Sequence, residues 1–136
     1  MTLDDAPDAT DAPDYIFKAE VLNIVDGDTF DAKVDLGFEV SHTFRVRTRD
    51  IDTRETHFVS HDSEEYQRGA IHTRAFVNWV EEARNETDSE WPFLLYSKEY
   101  RRGAYGRVVG DIYSTYHGEW ASRYLFNEFD DVSLYE

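Results

Sequence analysis

The stretch FDAKVDLGFEVSHTFRVR, residues 30–47, decides the fold class because apolar residues recur in it at every second position. In its first part they alternate with charged residues, which predicts a strand with one buried face. These apolar positions are Phe30, Ala32 and Val34. The sequence Leu-Gly-Phe at residues 36–38 predicts a reversal, and the alternation then resumes with His42, Phe44 and Val46 on one face. The stretch therefore predicts two antiparallel strands.

The flanking sequence extends this pattern in both directions. The turn pair Asp26-Gly27 predicts a hairpin with a preceding strand that begins near Tyr15. Apolar residues recur at helical spacing in two later regions, one after the potential capping residue Ser63 and one between residues 120 and 129. Two further strands are predicted at residues 93–96 and 108–113. The order predicts a mainly β protein with helices (α+β), a five-stranded OB-type barrel with an inserted helix and a C-terminal helix.

The length and composition predict one domain. The chain has 136 residues and no cysteine, so disulfides and thiolate zinc sites are excluded and a metal would be bound by oxygen or imidazole. Residues 1–13 are rich in aspartate and proline and are expected to form a disordered acidic tail, followed by the folded domain at residues 14–136. With neither a secretion signal at the start nor an apolar run long enough for a membrane, we expect a cytoplasmic protein.

The charge is strongly one-sided. There are 29 acidic residues against 14 basic ones, for a net charge of −15, and the only lysines are Lys18, Lys33 and Lys98. This composition is typical either of an ordinary well-solvated surface or of a surface adapted to high salt, where such a charge is screened within a few ångströms. We favour the second interpretation, a protein of a halophile or of its virus.

Against this acidic background, arginines gather on one face of the third predicted strand, at Arg45, Arg47 and Arg49. A one-sided stripe of guanidinium groups is the kind of surface that binds phosphate. Three segments, VDGDTF (25–30), VRTRDIDTRE (46–55) and AYGRVVGDIY (104–113), resemble the three signature segments of the staphylococcal nuclease (thermonuclease) family in order and separation. The family pattern Val-Arg-Leu-x-Gly-Ile-Asp-Thr-Pro-Glu differs at Asp50, which replaces glycine, and at Arg54, which replaces proline.

The resemblance implies an OB barrel that acts as a calcium-dependent phosphodiesterase on DNA or RNA, with endonuclease activity expected. It implies Asp28, Asp52 and the backbone carbonyl of Thr53 as ligands of Ca²⁺, with Mg²⁺ or Mn²⁺ as possible replacements. These ligands are all hard oxygen donors, which is the set that Ca²⁺ prefers.

The resemblance also implies the catalytic residues. Glu55 would position or deprotonate the attacking water, and Arg47 and Arg107 would bind the phosphate and stabilise the charge that develops on it. Tyr105 would support the nucleotide by stacking or by a hydrogen bond, and Arg45 and Arg49 are expected to add to substrate binding. We expect DNA or RNA as the partner and a monomeric protein.

Two other classes of function remain open. A noncatalytic OB module would bind single strands by stacking and charge, and the 15% aromatic content fits it. An interaction domain or nucleic-acid mimic would account for the acidity but leaves the arginines unexplained. The histidines match no metal-ligand motif and are expected in loops or on the surface. They are His42, His57, His61, His72 and His117.

Overall fold

The computed structural model describes residues 15–53, 60, 62–101 and 107–134, with the backbone alone at residues 52, 101, 133 and 134. The predicted acidic tail, residues 1–13, lies outside the described residues. The strands are β1 (Tyr15–Asp26), β2 (Thr29–Asp35), β3 (Ser41–Thr48), β4 (Ile51–Asp52), β5 (Phe93–Arg101), β6 (Arg107–Ser114), β7 (Glu119–Trp120) and β8 (Ser133–Leu134). The helices are α1 (Glu64–Asn85) and α2 (Ala121–Glu128). The predicted order of three strands, a helix, two strands and a helix is confirmed.

Five strands form a closed barrel. The main sheet has the order β3-β2-β1-β5-β6-β7, and an additional parallel pairing of β3 with β6 joins its two sides. The result is a mainly β fold of OB type with one helix inserted after β3 and one near the C-terminus, as the sequence predicts. The short strands β4, β7 and β8 were not predicted, because two residues are too few to show an alternation.

The close approach of β5 to β6 depends on one glycine. A Cβ atom at Gly110 would overlap the backbone carbonyl oxygen of Tyr96, so a larger residue cannot occupy this position without moving a strand. Gly110 also accepts a hydrogen bond through its carbonyl from the amide of Arg49, at 2.7 Å. The third and the middle segments of the sequence are therefore joined through the backbone.

The core lies inside the barrel and under α1. The alternating positions of the hairpin point inward as predicted, with Phe30, Ala32, Val34 and Val46 buried. On β1 the buried apolar residues are Ala19 and Val21, whereas the larger Ile16 and Leu22 are exposed. The interior face of β1 is thus not marked by its most apolar residues, so hydrophobicity alone does not identify that face.

In each helix, a backbone amide of the first turn donates a hydrogen bond to a side-chain oxygen. Ser63 caps α1, as predicted, by accepting a hydrogen bond from the amide of Tyr66 at 3.1 Å. At the start of α2, the carboxylate of Asp111 on β6 accepts hydrogen bonds from the amide and the hydroxyl of Ser122. No helix in the described part of the chain is long and apolar enough to span a membrane.

The expectation that the histidines lie in loops or on the surface is wrong at one position, His72. His72 lies on α1 and is fully buried, because it shares the inward face of the helix with Phe76 and because Asp131 provides a polar partner at 2.8 Å. His117 lies in the turn between β6 and β7, as predicted, and its largely buried side chain stacks on Trp79 at 5.0 Å between ring centroids. His42 is exposed, as predicted, and His57 and His61 lie outside the described residues.

Candidate metal and phosphate site

The site begins at the turn between β1 and β2. Asp28 lies in this turn, directly before β2, and is 7% exposed. Its Oδ1 accepts a hydrogen bond from the hydroxyl of Thr29 at 3.0 Å, and its Oδ2 accepts one from the amide of Thr53 at 3.0 Å. Its backbone carbonyl accepts a bond from the amide of Thr48 at 2.8 Å. The carboxylate is therefore held in one orientation by groups from both the first and the middle segments.

Arg47 lies directly beside this carboxylate. Its Nη1 is 3.2 Å from Oδ2 of Asp28, and it donates hydrogen bonds to the carbonyl oxygens of Thr48 and Ile51, each at 3.0 Å. The side chain is 21% exposed, and its Nη1 is fixed by these contacts. A guanidinium held in this way needs little ordering to bind an anion.

The chain bends sharply between β3 and β4. Asp50 has a φ of +67°, in the left-handed region that most side chains avoid and that aspartate tolerates better than most. This is the position at which the resembling family has glycine. The bend directs Ile51, Asp52 and Thr53 back towards Asp28, so the substitution of aspartate preserves the backbone turn on which the site depends.

Thr53 packs against the first turn. A Cβ atom at Gly27 would lie 2.9 Å from Cγ2 of Thr53 and 3.2 Å from Cβ of His72, so only glycine fits there without a shift. Thr53 itself is 8% exposed, and its hydroxyl oxygen has no hydrogen-bond partner among the described residues. A buried oxygen of this kind is an available donor for a cation.

The third segment approaches from β6. In the parallel pairing of β3 with β6, Arg45 is opposite Arg107 and Arg47 is opposite Val109, so the three arginines share the outer face of the barrel. Standard strand spacings place the Cα atoms of Arg47 and Arg107 about 8 Å apart. Arg107 is exposed. The two predicted phosphate-binding arginines therefore lie within reach of one phosphate group.

The other two predicted substrate-binding arginines are engaged elsewhere. Arg45 forms a two-point ion pair with Asp31, with Nε to Oδ1 at 2.9 Å and Nη2 to Oδ2 at 3.3 Å. The hydrogen bond from Arg45 lowers the pKa of Asp31 below its ordinary value, despite partial burial. Arg49 places its guanidinium 4.8 Å from the ring centroid of Tyr96, with Nε 3.5 Å from Oδ2 of Asp50.

Three predicted site residues are described incompletely or not at all. The backbone of Asp52 pairs with Ser133 of β8, but its side chain lies outside the described atoms. Glu55, the predicted general base, and Tyr105, the predicted nucleotide support, lie outside the described residues. Their assignments remain predictions.

Sequence reasoning missed two acids that shape the site. Asp31 is one of the outward charged residues of β2, and the register of the hairpin sets it opposite Arg45. Asp111 lies within the third segment and is 1% exposed, and burial raises its pKa to about 6 despite the hydrogen bonds from Ser122 and Ile112. Nothing in the alternation of β6 marks Asp111 as a helix cap, because its partner is 11 residues away on another element.

The donor atoms fit a hard cation. Within the described residues no group of three or more histidine, cysteine or acidic side chains is arranged for a metal. The carboxylate of Asp28 nevertheless accepts a hydrogen bond from the amide of Thr53, and the hydroxyl of Thr53 has no hydrogen-bond partner in the described part of the chain, so both residues offer oxygen atoms here. Oxygen donors suit Ca²⁺ and Mg²⁺ rather than zinc, and two more carboxylates, those of Asp52 and Glu55, follow in the same segment.

A comparison of the sequence with protein-family models gives no match, and a comparison with curated proteins gives none. The chemistry of the site follows from its own groups. A buried, oriented carboxylate and a partly fixed arginine are adjacent, and a second arginine lies exposed on the same face. Such a set can bind a cation and a phosphate side by side.

Proposed function

We propose that this protein is a metal-dependent nuclease, with Ca²⁺ as its ion, that hydrolyses phosphodiester bonds of DNA or RNA. The observation that carries the proposal is the contact set of Asp28. Its carboxylate meets Arg47 and the amide of Thr53, so that residues from two segments far apart in sequence form one site. The parallel register of β3 and β6 adds Arg107 from the third segment.

Asp28 and Asp52, with the backbone carbonyl of Thr53, would hold the ion. When bound, Ca²⁺ would neutralise the phosphodiester and make its phosphorus more electrophilic. Glu55 would take a proton from the attacking water at its carboxylate, which in general-base catalysis contributes typically ~10²–10⁴-fold. The fixed orientation of the Asp28 carboxylate supports its role as a metal ligand, since a side chain that is already ordered loses little entropy when it binds the ion.

Arg47 and Arg107 would bind the nonbridging oxygens of the phosphate. Arg47 is held by the carbonyls of Thr48 and Ile51, which fixes its guanidinium before the substrate arrives. Donors that are preorganised around developing negative charge stabilise a transition state more than mobile ones do. With about 8 Å between the two Cα atoms, the side chains can approach one phosphate from two directions.

We also propose that the protein works at high salt. With a net charge of −15 the surface repels nucleic acid at long range, and salt screens that repulsion while the local arginines and the ion attract the phosphate. The yield of refolding in dilute buffer and in molar KCl tests this proposal. A higher yield in KCl is expected, and full stability without added salt would contradict adaptation to salt.

A noncatalytic nucleic-acid-binding module is the second candidate. The observation that favours it is that Arg47 and the exposed Arg107 share the outer face of the barrel, since positive charge along a surface attracts the backbone of single strands. Such a module needs neither a metal ion nor Glu55. Cleavage therefore separates the two candidates.

Cleavage of single-stranded DNA and RNA at high salt, with Ca²⁺, Mg²⁺ or EDTA, tests the main proposal in the wild type and in Glu55→Gln. Cleavage that requires Ca²⁺ and collapses in the variant, while substrate binding persists, is the expected result. A folded wild type that binds nucleic acid but cleaves it with none of the metals would support the binding module instead.

A further inference from the structure

An ion-pair network outside the three segments joins α1 to the chain after α2. The carboxylate of Asp131 accepts two hydrogen bonds from Arg68, from Nε at 2.7 Å and from Nη2 at 3.0 Å. Its Oδ1 is also 2.8 Å from Nε2 of His72. Arg68 and His72 are one helical turn apart, so both face Asp131 from the same side of α1. We name these three residues the Asp131 anchor.

The anchor is strong by the measures that apply to such contacts. His72 is fully buried, the side chain of Asp131 is 20% exposed, and the Arg68 contact is a two-point fork. The hydrogen bonds from Arg68, and then those from His72, hold the pKa of Asp131 well below its usual range. Asp131, which follows α2, is thus held as a carboxylate against two side chains of α1.

The segment that follows Asp131 leads directly to the candidate metal site. Val132 is buried, and the next two residues form β8, which pairs with β4 in the register Asp52 to Ser133 and Ile51 to Leu134. Strand β4 carries Asp52 and is followed at once by Thr53. The anchor therefore lies two residues away from the pairing that holds a predicted metal ligand.

The pairing of β4 with β8 needs support from its ends. The two strands form a separate sheet with only two paired positions, which is too small to be stable by itself. On one side the amide of Thr53 is bonded to Asp28, and on the other side Asp131 fixes the start of β8. His72 also lies beneath the first turn, since its Cβ would be 3.2 Å from a Cβ at Gly27.

We propose that Asp131 is a positioning residue of the metal site: bound by Arg68 and His72, it fixes β8 and thereby sets the position of Asp52 and Thr53. The effect of Asp131 on Ca²⁺ binding rests on the proposed function, whereas the effect of Asp131 on the backbone of β4 does not. Asp131 does not touch the substrate or the ion. It acts through the pairing of the two strands.

Hydrogen exchange of the backbone amides in the full chain tests the proposal. In Asp131→Asn, exchange of the amides at residues 51–53 should become at least about tenfold faster relative to amides of β2, because the β4–β8 pairing opens locally. Arg68→Gln, which keeps His72 and changes a partly exposed side chain, should give a smaller effect of the same kind. Asp131→Glu, which keeps the charge, should recover part of the protection.

The matched control is Glu20→Gln. It breaks the pair of Glu20 with Arg84, at 3.3 Å, which likewise links a strand to α1 but lies away from β4. This variant should leave exchange at residues 51–53 unchanged. Equal acceleration in both variants, or no acceleration in Asp131→Asn, overturns the proposal.

A calcium titration by calorimetry adds the second readout. The loss of a residue that orients metal ligands typically lowers the metal affinity by ~10–100-fold. We expect a loss of Ca²⁺ affinity in this range for Asp131→Asn and no loss for Glu20→Gln. Unchanged affinity together with faster exchange would overturn the link between Asp131 and the metal. A wild type that neither binds Ca²⁺ nor cleaves nucleic acid would instead overturn the nuclease proposal, and the exchange data would still decide whether Asp131 positions β4.

Discussion

Arg47 on β3 and Asp28 in the turn between β1 and β2 lie with Nη1 and Oδ2 3.2 Å apart, although 18 residues of the chain lie between them. The contact has two consequences. It keeps a buried carboxylate electrostatically compensated, and it places a guanidinium at the edge of the same site. The fold thus organises the acid and the guanidinium together.

Replacement of Arg47 by lysine should reduce cleavage by about 10²-fold or more, because an ammonium group cannot keep the donor geometry of a guanidinium towards two carbonyls and a phosphate. The measurement is kcat/KM on single-stranded DNA at saturating Ca²⁺. A reduction mainly in kcat indicates a contact made in the transition state.

The matched control for that variant is Arg45→Lys, two positions back on the same face of β3. Arg45 already forms a two-point pair with Asp31, so its change should cost less than about fivefold, the equivalent of one surface ion pair. If Arg45→Lys proves as damaging as Arg47→Lys, the geometric distinction between the two arginines is wrong.

The replacement Gly27→Ala should destabilise the fold by about 1–3 kcal/mol, the usual cost of overpacking, because the added methyl would lie 2.9 Å from Cγ2 of Thr53. It should also weaken Ca²⁺ binding, since Thr53 is pushed away from Asp28. Chemical denaturation and calcium titration measure the two effects. In the double variant with Thr53→Ser, which lacks Cγ2, part of the stability should return, and no recovery would mean that another contact limits the turn.

The barrel could be predicted from the sequence because its evidence is local. Alternation over residues 30–47 gives the inward face, and the pair Asp26-Gly27 gives the first turn. The contact of Arg45 with Asp31 follows from the same hairpin register and could have been predicted too. What the site needs beyond the hairpin comes from pairings between distant segments, such as β3 with β6 and β4 with β8.

Such pairings between distant strands produce no periodic pattern of apolar residues in the sequence. Strand β4 consists of two residues and its partner β8 follows about eighty positions later, so no window of sequence contains both. His72 shows the same limit, because a histidine on an apolar helix face is recognised as buried only when its partner Asp131 is known. The roles of Glu55 and Tyr105 were predicted from the resemblance alone and stay predictions.

The tip of the hairpin between β2 and β3 carries a strained phenylalanine. Phe38 has a φ of +54° and is fully exposed. Its left-handed backbone conformation therefore costs free energy that burial of the ring does not offset. Phe38→Asn should therefore raise stability by about 0.5–1 kcal/mol, because asparagine tolerates this conformation. Denaturation in KCl measures it against Phe38→Leu, which keeps the strain and should resemble the wild type. A loss of stability in Phe38→Asn would contradict the assignment of strain.

Asp111 joins the barrel to α2 and titrates in an unusual range. It accepts hydrogen bonds from the amides of Ile112 and Ser122 and from the hydroxyl of Ser122. Burial nevertheless raises its pKa from 3.8 to about 6. Since the folded protein holds this proton more tightly than the unfolded chain does, the contribution of Asp111 to stability is fully present below pH 3.8 and is lost as the pH rises through about 6.

Replacement of Asp111 by asparagine removes this titration while it keeps an oxygen acceptor for the two amides. Between pH 4 and pH 7 the free energy of unfolding of the wild type should fall relative to that of the variant by up to about 3 kcal/mol, the equivalent of the shift in pKa. Denaturation curves at fixed KCl across this range give the difference, in which the other carboxyls cancel. Ser122→Ala serves as the second test: without the hydroxyl donor the carboxylate loses stabilisation, its pKa rises further, and the fall in stability should extend to higher pH. Parallel pH profiles for Asp111→Asn and the wild type would show that Asp111 does not titrate in this window.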